Sequence, residues 1–374
     1  MQKNRINGLI VKTRQEFEVD RLNRATVNPK QFYGYLRQNT RNKDPITLLR
    51  TTEGIDLTED GAKADHFSEL FWSVFTKETR YDYPADVFEV ITIVQSVQFT
   101  ETIVLKELLR LKGSKSPGPD EPGLRNCRPV SLTSICCKIM ENIIKQQLMH
   151  LLEHNHLLFE VQHVFRRGRS CITNLLYCLE RWTEAVDRGN MVHAVYIDFK
   201  KAFDCVLHHH PLYKINRIGV RGRLLNWIEN FLIDHAQTVH ISDKQSTKVE
   251  VESGVPQGSV LDPILFIVYI KGCANELDCD IAIFADNLKI WRVIQTAADE
   301  ENLQANVNRL QKWSNDWLLP FNESMCNIIR VGKSNPSNRT VYRQNGILLK
   351  EVDAQKDLGV WITPSLKPSL HCAK

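Results

Sequence analysis

Two short apolar runs that each end in an aspartate indicate the fold of this chain: Ala194-Val-Tyr-Ile-Asp198 and Ile281-Ala-Ile-Phe-Ala-Asp286. A further β-type run, Leu288–Val293, follows after only Asp286-Asn287, which predicts a tight hairpin because Asp and Asn tolerate a positive φ. If the strands are neighbours, the two carboxylates converge on one point, and carboxylate oxygens are the ligands that Mg²⁺ prefers. The alternative is that each acid caps a strand or a turn.

The segments around these runs predict helices that alternate with short strands. Val192–Phe199 has the composition of a strand, and Thr100 is a predicted N-cap for a helix at Glu101–Lys112. Helical spacing puts Val104 and Leu108 on one face of that helix. Further helices are predicted at 56–79, 139–152, 212–234 (in two pieces) and 299–318, and a second hairpin at 236–242 and 248–252.

Composition and charge narrow the class of protein. The chain has 374 residues, 43% of them hydrophobic, and its longest apolar run, Pro263–Ile270, is far shorter than the ~20 residues of a membrane helix. The ten cysteines include no CxxC pair, which is typical of reduced thiols in a soluble intracellular protein. Residues 1–50 carry eleven Lys/Arg against four Asp/Glu, a balance that suits a phosphate backbone or a solvated helix face.

Several motifs along the chain resemble, in order, those of reverse transcriptases from non-LTR (LINE-type) retrotransposons, especially the jockey and CR1 groups. The segments that carry the resemblance are Asn126-Cys-Arg-Pro-Val-Ser-Leu-Thr-Ser134, Gln162-His-Val-Phe-Arg-Arg-Gly-Arg-Ser-Cys171, Tyr196-Ile-Asp-Phe-Lys-Lys-Ala-Phe-Asp204, Ser253-Gly-Val-Pro-Gln-Gly-Ser-Val-Leu261, Phe284-Ala-Asp-Asn287, Trp313-Ser-Asn-Asp-Trp317 and Lys356-Asp-Leu-Gly-Val360. Any one of these motifs is weak, but their common order is specific to the family.

The resemblance implies an α+β fold: a right-hand polymerase palm, with an antiparallel sheet backed by helices, partial fingers and no thumb. It divides the chain into a basic, helical linker region at 1–112 and a reverse transcriptase domain at 113–374. Within that domain we expect truncated fingers at 113–190 and the palm at 191–374. The protein would act in the nucleus or the cytoplasm, and the resemblance implies neither a membrane nor a protein partner.

The resemblance also assigns a catalytic role to three side chains. Asp198 and Asp286 would be the metal ligands for two Mg²⁺ ions (or Mn²⁺), and Asn287 would stand beside them in the hairpin. Two such ions, about 4 Å apart, activate an attacking hydroxyl and stabilise a leaving pyrophosphate. The expected activity is RNA-directed DNA polymerisation, with an RNA template, a DNA primer and dNTPs as partners.

Further residues are assigned to substrates by their place in the motifs. The expected dNTP contacts are Arg128, Phe199 (through its backbone carbonyl), Phe203 (as a steric gate), Gln257 and Gly258. The expected contacts to template phosphates are Arg166, Arg167 and Arg169. Packing in the core is the alternative role for Phe203, and a solvated loop is the alternative for the arginines.

Departures from the family pattern predict a degenerate enzyme. Asn287 replaces the second aspartate of the hairpin motif, and Met325 stands where the family has a lysine near the leaving group. Asp262 and Val164 each replace a glycine. The short connection between Lys115-Ser-Pro-Gly-Pro-Asp120 and the Arg128 motif predicts that much of the fingers is deleted.

We therefore expect an internal fragment of a decayed element with weak or no polymerase activity. The alternative is a catalytically dead nucleic-acid-binding remnant. An unrelated Mg²⁺ phosphohydrolase that uses the same two aspartates is disfavoured, because it leaves the remaining motifs unexplained.

Overall fold

The computed structural model describes residues 49–51, 54–77, 92–110, 134–332 and 340–373. Arg128, the expected finger connection and most of the basic N-terminal segment lie outside these ranges. In chain order the elements are β1 (Leu49–Arg50), β2 (Asp56–Leu57), α1 (Asp60–Trp72), α2 (Glu101–Arg110), α3 (Ile135–His154), α4 (Cys171–Asp187), β3 (Met191–Ile197), α5 (His209–Arg217), α6 (Gly222–Leu232), β4 (Ala236–Gln237), β5 (His240–Ile241), β6 (Lys244–Gln245), β7 (Val249–Glu250), α7 (Asp262–Ile270), β8 (Asp280–Phe284), β9 (Asn287–Ile294), α8 (Ala297–Asp316), β10 (Asn327–Val331), β11 (Arg343–Gln344), β12 (Ile347–Leu348), β13 (Lys350–Glu351), β14 (Gln355–Asp357), β15 (Val360–Ile362) and α9 (Ser369–Ala373).

The chain divides into two compact units. In its described part, the smaller unit contains the β1–β2 pair, most of α1 and the β5–β6 hairpin. The predicted helix at 56–79 begins only at Asp60, because Asp56–Leu57 pairs with β1 instead. The Asp60 carboxylate forms an ion pair of 2.9 Å with the buried Lys63 in the first turn of α1.

The larger unit is built on a five-stranded sheet with the order β13-β10-β3-β9-β8. Its strand pairs are antiparallel except for β10–β13. Side chains alternate between the two faces of a strand, so Val195 and Ile197 enter the main core, which α5, α6, α7 and α8 complete. Ala194 and Tyr196 face the other side, where Trp182 of α4 packs. The expected antiparallel sheet backed by helices is therefore present.

Caps in the sequence fix several helix ends. The Ser134 hydroxyl accepts the Cys137 N–H at the start of α3, and Ser170 forms a capping box with Thr173 at the start of α4. Thr100 caps α2 as predicted, since its hydroxyl accepts the Ile103 N–H at 3.3 Å. Among the described residues, no helix is long and apolar enough to cross a membrane.

The predicted orientation of α2 is wrong. Glu107 is buried and Leu108 is exposed, the reverse of the expected apolar face. The reason lies in α3, where Gln146 donates to a Glu107 carboxylate oxygen at 3.0 Å and Asn142 donates to the other oxygen. A carboxylate that receives two amide donors can be buried at modest cost.

The tip of the β8–β9 hairpin is shifted by one residue from the prediction. Phe284 pairs with Asn287, so the two turn residues are Ala285 and Asp286, and Asn287 begins β9. The positive φ of the turn, 56°, falls on Ala285 rather than on an Asp or Asn. Asn287 is consequently the first residue of β9. The alternation of side chains along this strand therefore sets the face of the sheet on which the Asn287 side chain lies.

Candidate functional site

Asp198 and Asp286 lie at the same end of the sheet. Ile197, the last residue of β3, pairs with Leu288 of β9, and Asp198 comes next in the chain. Asp286 immediately precedes β9, and both aspartates are half-buried. The two aspartates thus lie at the same end of two neighbouring antiparallel strands, which we call the edge of the sheet below, as the apolar runs predicted.

A loop after α8 holds the Asp198 segment in place. The Asn322 side chain donates to a carboxylate oxygen of Asp198 at 3.2 Å, and the Asn322 backbone N–H donates to the Asp198 carbonyl at 2.8 Å. Phe199 is buried and its ring centroid lies 5.0 Å from that of Phe321. Because the Phe199 ring belongs to the core, only its backbone is available to a substrate.

The charge at this edge is lower than in the family pattern. Asn287 brings an amide, whose nitrogen lies 3.4 Å from a carboxylate oxygen of Asp286. Within the described ranges, no group of three or more His, Cys, Asp or Glu side chains could hold a metal ion. The carboxylates of Asp198 and Asp286 are hard oxygen donors, the ligand type that Mg²⁺ and Mn²⁺ prefer, and Asn287 adds no further carboxylate.

A cavity of about 140 Å³ adjoins these residues. Its lining includes Asp198, Asn287 and Met325 together with Lys289 and Asp357. The last two form a buried ion pair between β9 and β14, and the Tyr196 hydroxyl donates to the same Asp357 carboxylate at 3.2 Å. Met325, which is 56% exposed, brings an uncharged thioether to the position where the family pattern has a lysine.

The loop that precedes α7 is bonded by its backbone to the loop that follows Asp198. Gly254 donates to the Val206 carbonyl at 2.7 Å, and Val255 donates to the Phe203 carbonyl at 2.9 Å. Gly254 has φ +99°, and an added Cβ would lie 3.1 Å from the Cα of Asp204. Glycine is required there because both the conformation and the close approach exclude a side chain.

Gln257 and Gly258 follow on this loop. Gln257 is half-buried and Gly258 is exposed with φ +87°. The Gly258 N–H donates to a carboxylate oxygen of Asp262 at 3.1 Å. Burial raises the pKa of Asp262 to about 6, with the nearby Glu141 carboxylate acting in the same direction.

Phe203 is stacked on Phe266, with ring centroids 4.4 Å apart and an angle of 30° between the rings. The ring is half-buried and packs against the main core. This contact favours packing, the alternative role given to Phe203 by the sequence. A steric gate remains an expectation, since the exposed part of the ring is still available to a ligand.

The three predicted phosphate-binding arginines have different surroundings. Arg166 is half-buried and donates to the Phe159 carbonyl at 2.7 Å. Arg169 lies 3.2 Å from Nε2 of His163, whose pKa is lowered to about 4 by burial and by these neighbouring arginines. Arg167 is exposed. Two of the three guanidinium groups are thus partly engaged by the protein, although Arg169, like Arg167, is exposed.

Sequence reasoning did not select Asp204 or Glu141, although both contact the loop that contains Gln257. Asp204 accepts the side-chain amide of Gln257 at 2.5 Å, and Glu141 accepts the Val260 N–H at 2.5 Å. The signal for Asp204 was its place inside the quoted Tyr196–Asp204 motif. No pattern marked Glu141, an acid on the buried side of an otherwise apolar helix stripe.

The sheet, with two aspartates at one edge and a glycine-containing loop beside them, defines a polymerase palm-type domain. A family model described as "Reverse transcriptase (RNA-dependent DNA polymerase)" matches residues 115–361, more than half of the chain. The chain belongs to the reverse transcriptase family. The resemblance found in the sequence motifs is thereby confirmed.

Relatives of known name agree with this membership. The chain is 25% identical over 265 residues to the "Probable RNA-directed DNA polymerase from transposon BS" of Drosophila melanogaster, covering 68% of this chain and 29% of that protein. It is 27% identical over 253 residues to the "RNA-directed DNA polymerase from mobile element jockey" of the same species, covering 65% of this chain and 27% of that protein. The chain therefore spans less than a third of the length of these relatives.

Among solved structures, an apo telomerase from Candida tropicalis matches with a TM-score of 0.43 and 12% identity. The match covers 60% of this chain and 44% of that one. A likeness of this extent carries no argument about function.

Proposed function

We propose that this chain contains the palm and partial fingers of an RNA-directed DNA polymerase of the non-LTR retrotransposon kind, and that its nucleotidyl transfer activity is weak or lost. The observation that supports the proposal is the placement of Asp198 and Asp286 at one end of β3 and β9. The fingers would be partial, and residues 113–190 and 191–374 would be the fingers and palm portions.

The two aspartates would hold the divalent ion that reverse transcriptases generally use. Such an ion supplies a Lewis acid for phosphoryl transfer and neutralises charge on the phosphates. The protein itself contributes orientation: Asn322 holds the Asp198 carboxylate and backbone together. Two Mg²⁺ ions are the family arrangement, and with Asn287 in place of an acid we propose that the second is held weakly.

Nucleic acid and nucleotide would meet the chain through the residues assigned by the motifs. Gly258 is exposed and has no side chain, so a base can approach its backbone closely. Gln257 would hydrogen-bond the incoming dNTP, and Arg128 would bind its triphosphate. Arg167 would contact a template phosphate, with Arg166 and Arg169 giving partial support.

The loss of activity would have an electrostatic cause. Asn287 removes one negative charge from the metal site, and Met325 supplies no cation for the leaving pyrophosphate. A single electrostatic contact of this kind typically contributes about 10²–10³ in rate. Two such losses, together with shortened fingers that position the triphosphate poorly, leave little of the chemistry.

The proposal is tested by primer extension on an RNA homopolymer with dNTPs and either Mg²⁺ or Mn²⁺. We expect trace synthesis at most, and we expect Asp198→Ala to abolish that trace. A parallel titration with the RNA–DNA duplex at several salt concentrations measures binding, which should weaken steeply as salt rises. Robust Asp198-dependent synthesis would refute the proposed loss of activity. Undetectable binding of the duplex at low salt would refute the proposed nucleic-acid contacts. Binding without any synthesis would identify the chain as a catalytically dead remnant.

A further inference from the structure

The loop with Gln257 is held by buried acids from three different elements. Asp204 lies in the loop after β3, Glu141 in α3 and Asp262 in the first turn of α7. Each is at most 9% exposed. Glu141 and Asp262 accept the backbone N–H groups of Val260 and Gly258, but Asp204 binds a side chain. Of these three acids, Asp204 is therefore the one that contacts the Gln257 side chain.

The Gln257 carboxamide has two chemically different ends. Its nitrogen donates to a carboxylate oxygen of Asp204 at 2.5 Å. A carboxylate accepts and never donates, so this contact is formed only when the nitrogen, and not the oxygen, points toward Asp204. Among the described residues, the Gln257 oxygen receives no hydrogen bond. The carboxamide is therefore fixed with its oxygen directed away from Asp204.

Asp204 is itself fixed by its backbone. Its carbonyl accepts the Ser253 hydroxyl at 2.7 Å, and its amide donates to the Lys201 carbonyl at 2.9 Å. The loop that contains Gln257 is joined to the Asp204 segment, because Gly254 packs against the Asp204 backbone and the His208 ring bonds the Gly254 carbonyl at 2.9 Å. The donor and acceptor are thus carried by two loops that are joined at several points.

From this geometry we infer that Asp204 is a positioning residue, which orients the Gln257 carboxamide so that its oxygen is presented to a hydrogen-bond donor on the bound nucleotide. The inference rests on the proposed function for the nucleotide itself. A charge-assisted hydrogen bond to one end of the amide favours that orientation by about tenfold or more. In an Asp204→Asn variant the new amide accepts or donates equally well, so both orientations of Gln257 become available.

The orientation is measured first without any ligand. The full chain is labelled with ¹⁵N in its glutamine side chains, and Gln257→Ala identifies the Gln257 NH₂ signal. We expect one downfield-shifted proton and exchange with water about tenfold slower than in exposed glutamines. Both features should be lost in Asp204→Asn and in Asp204→Ala, and retained in Asp353→Asn, a control at an exposed residue. A signal unchanged by Asp204→Asn would overturn the inference.

The second measurement is binding of dTTP in the presence of Mg²⁺ and the RNA–DNA duplex. We expect Asp204→Asn to weaken dTTP binding about tenfold, and to have no further effect in a chain that already carries Gln257→Ala. A general structural role for Asp204 would instead weaken binding equally in both backgrounds, and that result would overturn the inference. If the unmodified chain binds no dTTP while its NMR signature is intact, the proposed nucleotide site fails, and the substrate role of Asp204 fails with it. The Asp204–Gln257 hydrogen bond would then be a structural contact without a role in nucleotide binding.

Discussion

Replacing Asp262 by asparagine should stabilise the protein at neutral pH. Burial raises the pKa of Asp262 from 3.8 to about 6, and a difference of that size corresponds to about 3 kcal/mol. We expect about 1–2 kcal/mol, because water still reaches part of the carboxylate and because Lys145 loses a charge that attracts it. An asparagine oxygen can still accept the Gly258 N–H, so the substitution removes the charge and keeps the hydrogen bond.

The sign of this effect depends on pH. Between pH 4 and 6 the folded protein holds a proton on Asp262 that the unfolded chain has released, so this carboxyl lowers the free energy of unfolding as pH rises. Asp262→Asn should match the unmodified chain near pH 4 and exceed it by the full difference at pH 7.5. Urea unfolding followed by tryptophan fluorescence measures both values, with Asp353→Asn as the exposed control. A variant that is less stable at pH 7.5, or equally more stable at both pH values, would refute the reasoning.

Three further predictions use other parts of the structure. Lys214→Met should lower the free energy of unfolding by about 2–3 kcal/mol in urea titrations, since the buried Nζ donates to two carbonyls at the end of α7; unchanged stability would contradict this. Asn287→Asp combined with Met325→Lys should give only slight primer extension, because neither change restores the fingers; full activity would contradict it. Arg167→Ala should reduce the salt dependence of RNA binding by about one phosphate contact, and an unchanged slope would exclude that contact.

The sequence was sufficient for the β8–β9 hairpin, for β3 and for the end of these strands at which the two aspartates lie. Apolar runs that end in Asp198 and Asp286 predict strands and a hairpin because strand burial and turn preference are local properties. The same local rules placed the hairpin tip one residue too late. Asp286, a residue type that tolerates a positive φ, lies in the turn in both the predicted and the observed pairing, so local preferences do not distinguish them. The pairing of Phe284 with Asn287 between β8 and β9 distinguishes them.

Contacts between distant loops could not be predicted in this way. Gln257 and Asp204 are 53 positions apart, and their hydrogen bond depends on how two loops are joined by backbone bonds. The burial of Glu107 depends likewise on the amides that α3 presents to it. A hydrophobic pattern records which residues avoid water and gives no information on which polar partners meet inside.

The acid that this chain has gained near the site does not replace the one it lacks. Relative to the family pattern, Asn287 lacks a carboxylate at the proposed metal site, whereas Asp262 adds one beside the Gln257 loop. A carboxylate binds a divalent ion in its ionised form. One Asp262 oxygen already accepts the Gly258 N–H, and burial with Glu141 nearby raises the pKa of this acid, which opposes ionisation. Asp262 therefore stabilises the Gln257 loop through the Gly258 N–H and does not compensate for the charge that is missing at Asn287.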